Sequence, residues 1–275
     1  MDTTVRTEWH PALRDPTGRR EGKPRTRGRT MVIDKGIGPA AFDDLLETGA
    51  PYIDLIKIGF GTSPLYPAGL LRKKIELARS RGIVIYPGGT FLEAAVRLGE
   101  VDAFFDMVLA LGFNGIEVSD GTIDMPRDLR DRLIGRGKEL GLFVVTEYGK
   151  KAAGAAIDVD RFLSAFFLDL EHGADLVILE ARESGRGVGL FDEQGKPKDD
   201  VLAEMLRQLD SVERLMWEAP LKNQQVHLLK AVGPDANLGN IQAEDVLSLE
   251  CLRRGLRSDT FLSFVPDRNM PAVRA

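Results

Sequence analysis

Cysteine occurs once in the 275 residues, at Cys251, so no intramolecular disulfide can form and no cysteine-based zinc site can be assembled. Histidine occurs three times, as His10 near the start and as His172 and His227 in stretches of helical period. A histidine-based mechanism therefore has no candidate. No GxSxG motif is present and Cys251 falls in an expected helix, which removes acyl transfer through a serine or cysteine nucleophile. No apolar run approaches the ~20 residues of a membrane span, and the first residues lack the apolar core of a secretory leader. A cytoplasmic protein with no membrane partner is expected. The net charge of -5 argues against a general nucleic-acid binder and leaves a small-molecule partner as the better fit.

What is present is an ordinary globular balance, 43% hydrophobic and 29% charged residues, with ample material for a core. Residues 1–30 are rich in Arg, Gly, Pro and Thr and show no apolar periodicity. They are expected to form a basic, flexible tail that could be deleted without loss of fold. The alternative is that Arg19, Arg20, Arg25, Arg27 and Arg29 make an anion-binding or subunit-contacting arm. From Met31 onward, short apolar runs alternate with amphipathic stretches of helical length, as in βα units. Eight strands are expected, at 31–35, 53–58, 83–86, 115–119, 142–147, 176–180, 215–218 and 236–239. Pro39, Pro67, Pro126 and Pro220 are expected to open helices, and Gly49, Gly82, Gly141 and Gly173 to close others. The stretch from Asp160 to His172 puts Phe162, Leu163, Phe166, Phe167 and Leu170 on one face. Eight consecutive units suit a single (β/α)8 TIM barrel over residues 31–275, of the usual ~250-residue size. An open doubly wound sheet has the same count, but no GxGxxG fingerprint opens the first unit.

In a barrel the chemistry sits at the C-terminal ends of the strands. Four successive strand ends carry a carboxylate, Glu117, Glu147, Glu180 and Glu218, and strand alternation turns all four inward. Any one of them could be a simple ion-pair partner. Four converging carboxylates repel unless a cation neutralises them, and oxygen ligands select hard ions such as Mg2+. Basic residues supply a complement for an anionic substrate: Lys35 and Lys57 end the first two strands, Lys150 and Lys151 follow the fifth, and Arg182 follows the sixth. The turns 59–63 and 86–90, the latter with Gly88 and Gly89, offer amide donors, as does Asn237-Leu238-Gly239-Asn240. Glycine-rich βα turns are also common for geometric reasons alone.

The motifs Lys57-Ile58-Gly59-Phe60-Gly61-Thr62-Ser63, Tyr86-Pro87-Gly88-Gly89-Thr90, Glu117-Val118-Ser119-Asp120-Gly121, Glu147-Tyr148-Gly149-Lys150-Lys151 and Leu179-Glu180-Ala181-Arg182-Glu183-Ser184-Gly185 occur in order, followed by Glu218-Ala219-Pro220-Leu221-Lys222-Asn223-Gln224-Gln225 and Asn237-Leu238-Gly239-Asn240-Ile241. Through them the chain from Met31 to Leu262 resembles the phosphosulfolactate synthase family, with Phe60 and Tyr148 as mild departures. The resemblance implies a Mg2+-dependent barrel, a carbon-sulfur lyase by class, that adds sulfite to phosphoenolpyruvate to give (2R)-phospho-3-sulfolactate. It also implies a homo-oligomer. It assigns metal binding to the four glutamates. Substrate binding goes to Lys35, Lys57, Gly88, Gly89, Arg182, Ser184, Gly239 and Asn240, and proton donation to Lys151 with Lys150 beside it. Two other readings stay open. One is a non-catalytic barrel of the same lineage, as in a plant group associated with heat-stress tolerance. The other is an aldolase- or isomerase-like barrel acting on another phosphorylated acid.

Overall fold

Runs of four to six residues with β-branched or aromatic side chains cannot bury both faces alone, and here each becomes one strand of a parallel sheet covered by helices. The computed structural model describes residues 8–67, 69–149, 157–181, 184–187 and 189–267. The strands are β1 Thr30–Asp34, β2 Leu55–Ile58, β3 Val84–Pro87, β4 Gly115–Ser119, β5 Phe143–Tyr148, β6 Leu176–Leu179, β7 Leu215–Glu218 and β8 Asn237–Ile241. They pair in parallel in the order β3-β2-β1-β8-β7-β6-β5-β4. The sheet curls until β3 and β4 lie against one another, which makes a nearly closed (β/α)8 TIM barrel, as expected. At that seam a side chain stands in for a ladder: Asn114 Oδ1 accepts from Ile85 N at 2.8 Å and Nδ2 donates to Ile83 O at 3.2 Å.

The helices among the described residues are α1 Pro11–Arg14, α2 Pro39–Gly49, α3 Leu70–Ser80, α4 Gly89–Leu98, α5 Val101–Leu111, α6 Arg127–Glu139, α7 Val159–Glu171, α8 Asp199–Gln208, α9 Lys222–Val232, α10 Val246–Arg253 and α11 Ser258–Phe264. The expected helix over 160–172 is α7, whose buried Phe162, Leu163 and Phe166 face the sheet while Phe167 stays exposed. Of the four prolines, only Pro39 occupies a first helical position; Pro126 caps α6, and Pro67 and Pro220 lie in the approaches to α3 and α9. Gly82, Gly141 and Gly173 follow helices with positive φ, whereas Gly49 is still the last residue of α2. β8 runs two residues past its expected end. Asn240 adopts φ 56°, and the register against β1 slips between Thr30↔Leu238 and Val32↔Ile241, a bulge that lets Ile241 pair again.

The apolar material forms an outer layer between strands and helices and a small plug inside the barrel, made by Met31, Leu55, Tyr86, Val145, Leu176, Ile178 and Met216. The plug fills the lower half, so polar groups on the same inward phase stand above it, towards the C-terminal mouth.

The expectation of a solvated N-terminal tail does not hold for the residues just before β1. Arg20 Nε lies 3.0 Å from both carboxylate oxygens of Glu250, and Arg25 pairs with Asp54 at 3.4 Å while donating to Pro51 O. Lys23 Nζ reaches three carbonyls, Ile53 at 2.7 Å, Arg81 at 3.1 Å and Ala50 at 3.2 Å. These contacts close the N-terminal end of the barrel. Basic residues with no apolar period look like tail, yet their aliphatic stems and forked donors cover loop carbonyls well. Deleting residues 1–29 is therefore expected to destabilise the fold, because Asp54 would stay buried without its guanidinium partner Arg25 and Glu250 would keep only Arg254. Stripping one partner from a buried pair costs ~3–5 kcal/mol. Thermal unfolding followed by circular dichroism checks this, and a truncated chain that melts with the parent would show the segment to be peripheral.

Candidate active site

Alternation along β2, β4, β5 and β7 points Lys57, Glu117, Glu147 and Glu218 into the barrel just above the apolar plug, and all four are buried. The Lys57 ammonium sits among the carboxylates, 2.9 Å from Glu147 Oε2, 3.0 Å from Glu117 Oε2 and 3.5 Å from Glu218 Oε1. Burial alone would lower its pKa, but Glu117, Glu147 and Glu218 together hold it well above the ordinary lysine value, so it stays charged. Lys57, expected to meet an anionic substrate, thus has its ammonium on three glutamates.

The glutamates are fixed from behind. Glu117 Oε1 accepts from Gly89 N at 2.7 Å, and a Cβ at position 89 would sit 2.9 Å from that oxygen and 2.3 Å from Ser119 Oγ, so only glycine permits the approach. Glu218 Oε2 accepts from Ala181 N at 2.9 Å. Glu180, immediately after β6, completes the group. Gly149, with φ 134°, passes so close to it that a Cβ would lie 2.8 Å from Glu180 Cβ. Carboxylate oxygens of Glu147, Glu180 and Glu218 lie within 4.8 Å of one another. Burial first, then the nearby Glu147 and Glu218, push the Glu180 carboxyl up to about 12. Burial also raises Glu218, against the pull of Lys57. Among the described residues four carboxylates face one ammonium, and the excess negative charge of this group is carried by protons unless a cation takes their place. Hard oxygen donors in excess over cationic charge suit a divalent ion such as Mg2+, and the group that fits it is Glu147, Glu180 and Glu218. Glu117 stands apart from that trio, held by Gly89 and Lys57.

The other expected site residues fall at different places. Lys35 lies exposed just past β1. Gly88 N donates to Ile58 O at 2.9 Å, so the amides of both Gly88 and Gly89 bond to the protein itself. Ser184 is exposed in the segment after β6. Gly239 packs in the barrel against Met31 and Met216. Asn240 is buried, and its Oδ1 has no hydrogen-bond partner among the described residues. Lys150, Lys151 and Arg182 lie outside the described residues.

Several residues that support the site were not singled out in the sequence. Tyr86, in register with Lys57 on the neighbouring strand, is fully buried, and burial followed by Glu117 raises its phenol well above the ordinary value. Glu93 on α4 accepts from Ser119 Oγ at 2.6 Å and from Thr122 N and Ile123 N at 2.8 and 2.9 Å, which shapes the loop after β4. Its signal was an acid on the same helical face as Leu92 and Gly89. Arg130 on α6 binds Asp169 of α7 through two nitrogens and donates to Glu147 O at 3.2 Å, clamping the end of β5. Gln224 at the start of α9 holds the segment after β6 through Gly185 O at 2.6 Å and Gly195 O at 3.2 Å.

Residues 18–259 match the model of the (2R)-phospho-3-sulfolactate synthase (ComA) family, a span that begins within the basic N-terminal segment. The phosphosulfolactate synthase of Methanothermobacter thermautotrophicus is 41% identical over 243 residues, which cover 88% of this chain and 94% of that protein. That of Methanocaldococcus jannaschii is 42% identical over 237 residues, with coverage of 86% and 94%. Among solved structures, 3-hexulose-6-phosphate synthase from Salmonella typhimurium aligns with a TM-score of 0.51 at 16% identity, over 80% of this chain and 97% of that one; this likeness is one of fold. With the family match spanning nearly the whole barrel and the glutamate cluster in place at its mouth, the chain belongs to the phosphosulfolactate synthase family.

Proposed function

We propose that the chain is a Mg2+-dependent enzyme that adds sulfite to phosphoenolpyruvate, giving (2R)-phospho-3-sulfolactate. The observation that carries this reading is the trio of buried carboxylates, Glu147, Glu180 and Glu218, above a plugged barrel floor. These three residues would hold the cation. When bound, it supplies a Lewis acid for the substrate carboxylate, on which negative charge grows during addition.

The protein's own groups account for the rest. Sulfite attacks through sulfur at the methylene carbon, the carbon-sulfur bond forms, and the electron pair of the double bond moves towards the carboxylate. A proton must then reach the carbon that bears the phosphate ester, on one face only. Lys151 is the proposed donor, with Lys150 beside it. Lys35, Arg182, Ser184, Gly239 and Asn240 are the proposed contacts for the anionic groups of substrate. Lys57, itself paired with Glu117, holds Glu147 and Glu218 in their rotamers before substrate arrives, which removes reorganisation from the step itself. The apolar plug beneath them keeps water from entering the site from below.

Incubation with phosphoenolpyruvate, sulfite and Mg2+, followed by phosphorus NMR, should give a new phosphate-ester resonance that depends on all three. Folded protein that produces no new resonance would sink the reading. A second expectation concerns the metal alone: Glu180→Gln keeps the volume and the capacity to donate a hydrogen bond to Glu147, but removes the charge that would hold the cation. Its Mn2+ or Mg2+ affinity, read by calorimetry, should fall by at least tenfold with the melting temperature of the metal-free protein nearly unchanged. A parental binding isotherm would exclude Glu180 as a ligand.

A further inference from the structure

At the pole of the barrel opposite the glutamates, cationic groups outnumber anionic ones. Arg20 and Arg25 from the N-terminal segment meet Arg253 and Arg254 at the end of α10, with Lys23 alongside, and the acids among them are Glu250 and Asp54. Among the described residues five positive side chains thus face the carboxylates of Glu250 and Asp54, with Asp15 bonded to the Arg20 backbone N at 3.0 Å, in a region where Arg20, Arg25 and Arg253 are nearly or wholly buried. The mutual crowding is strong enough that burial, followed by Arg20, pulls the Arg253 guanidinium down to about 9.

Part of this donor set is satisfied. Arg253 donates through Nη1 to Pro234 O and Ala236 O and through Nη2 to Arg29 O; Arg20 and Arg254 share Glu250; Arg25 takes Pro51 O and Asp54. Arg20 Nη2 and Arg25 Nε make no hydrogen bond but face Glu250 and Asp54 at 3.0 and 3.4 Å, and one nitrogen of each of three arginines is left with neither. Arg20 Nη1, Arg25 Nη1 and Arg253 Nε are buried and have no acceptor among the described residues. Gly28 makes room for the first of them, since a Cβ there would lie 2.3 Å from Arg20 Nη1. Three buried cationic donors without an acceptor are costly, because each loses its hydration and gains nothing in return. A neutral water would satisfy the donors but leave the surplus charge; an anion does both.

We propose that Arg20, Arg25 and Arg253 bind a small inorganic anion that ties the N-terminal segment to α10 and to the N-terminal ends of β1, β2 and β8. The site is independent of the reaction assigned to the opposite pole. Guanidinium donors accept halides and tetrahedral oxyanions alike, so two probes separate the sources.

The test uses the full chain crystallised once in sodium bromide and once in sodium phosphate. Diffraction at the bromine edge should show an anomalous peak within hydrogen-bonding reach of at least two of the three nitrogens if a halide binds. Tetrahedral density at the same place in phosphate assigns an oxyanion. Neither feature in either crystal overturns the proposal and leaves water as the acceptor. In solution, at ionic strength held constant with gluconate, bromide or phosphate should raise the melting temperature by roughly 3–6 °C per tenfold increase above its Kd. Arg25→Gln should shift that titration to at least tenfold higher anion; should this variant not fold, the parent crystals decide alone. A melting temperature that follows ionic strength whichever anion is present counts against the site.

Discussion

Lys57→Met should lower the melting temperature of the metal-free protein by roughly 6–20 °C, and added Mg2+ should return part of the loss. The ammonium it removes touches Glu117, Glu147 and Glu218 at 3.0, 2.9 and 3.5 Å, in a place where all four groups are buried. Methionine matches the aliphatic stem, so packing beneath the cluster is kept and only the charge is lost. Removing one partner from a buried ionic group costs ~3–5 kcal/mol, and a chain of this size loses ~2–4 °C per kcal/mol. Two effects oppose each other here. The glutamates can take up protons, which limits the loss; but each protonation exchanges a charge-assisted bond for a weaker one, so the stability does not return in full. A divalent cation placed among Glu147, Glu180 and Glu218 replaces the missing positive charge directly, which is why metal should rescue the variant more than it stabilises the parent. Thermal unfolding of both proteins with and without Mg2+ measures each term. Equal melting temperatures without metal would mean that Lys57 contributes nothing to the cluster.

The other large effect is expected at Lys151. If its ammonium completes the addition by delivering a proton, Lys151→Met should lose ~100- to 10,000-fold in turnover, the usual contribution of a general acid, while melting near the parent. Electrostatics would add in the same direction, because the intermediate of the proposed reaction is anionic. The competing reading is that Lys151 only attracts anions. Lys151→Arg separates the two, since arginine keeps the charge but its guanidinium is a poor acid at neutral pH. Turnover close to parental in Lys151→Arg, at saturating sulfite and phosphoenolpyruvate, would remove the residue from the acid role and shift it to Lys150 or to water.

Lys151 is legible through a resemblance in sequence, by its place four residues after Glu147. Lys57 was visible in the sequence as a charge at a strand end, but its partners were not: Glu147 is 90 residues away along the chain. The same holds at the opposite pole, where Arg20 and Glu250 are separated by 230 residues and the sequence around Arg20 has the composition of a solvated tail. Glu93 and Arg130 are not legible in the sequence for a related reason, since one charged residue on a helix is as easily solvent-facing as buried until its partner is known.

What the sequence determined by itself was everything that follows from a local period. Alternation by two marked the strands and turned Glu117, Glu147 and Glu218 to a common side, and the period of 3.6 marked the face of α7 that covers the sheet. What only the tertiary structure decided was which charges meet. Closure of the barrel carries Lys57 on β2 across to Glu147 on β5 and Glu218 on β7, and folds the basic segment beneath the strands onto Glu250. The reason is physical: period is fixed by the backbone within a few residues, whereas a charge gains or loses several kcal/mol according to what stands within about 4 Å of it once water has gone.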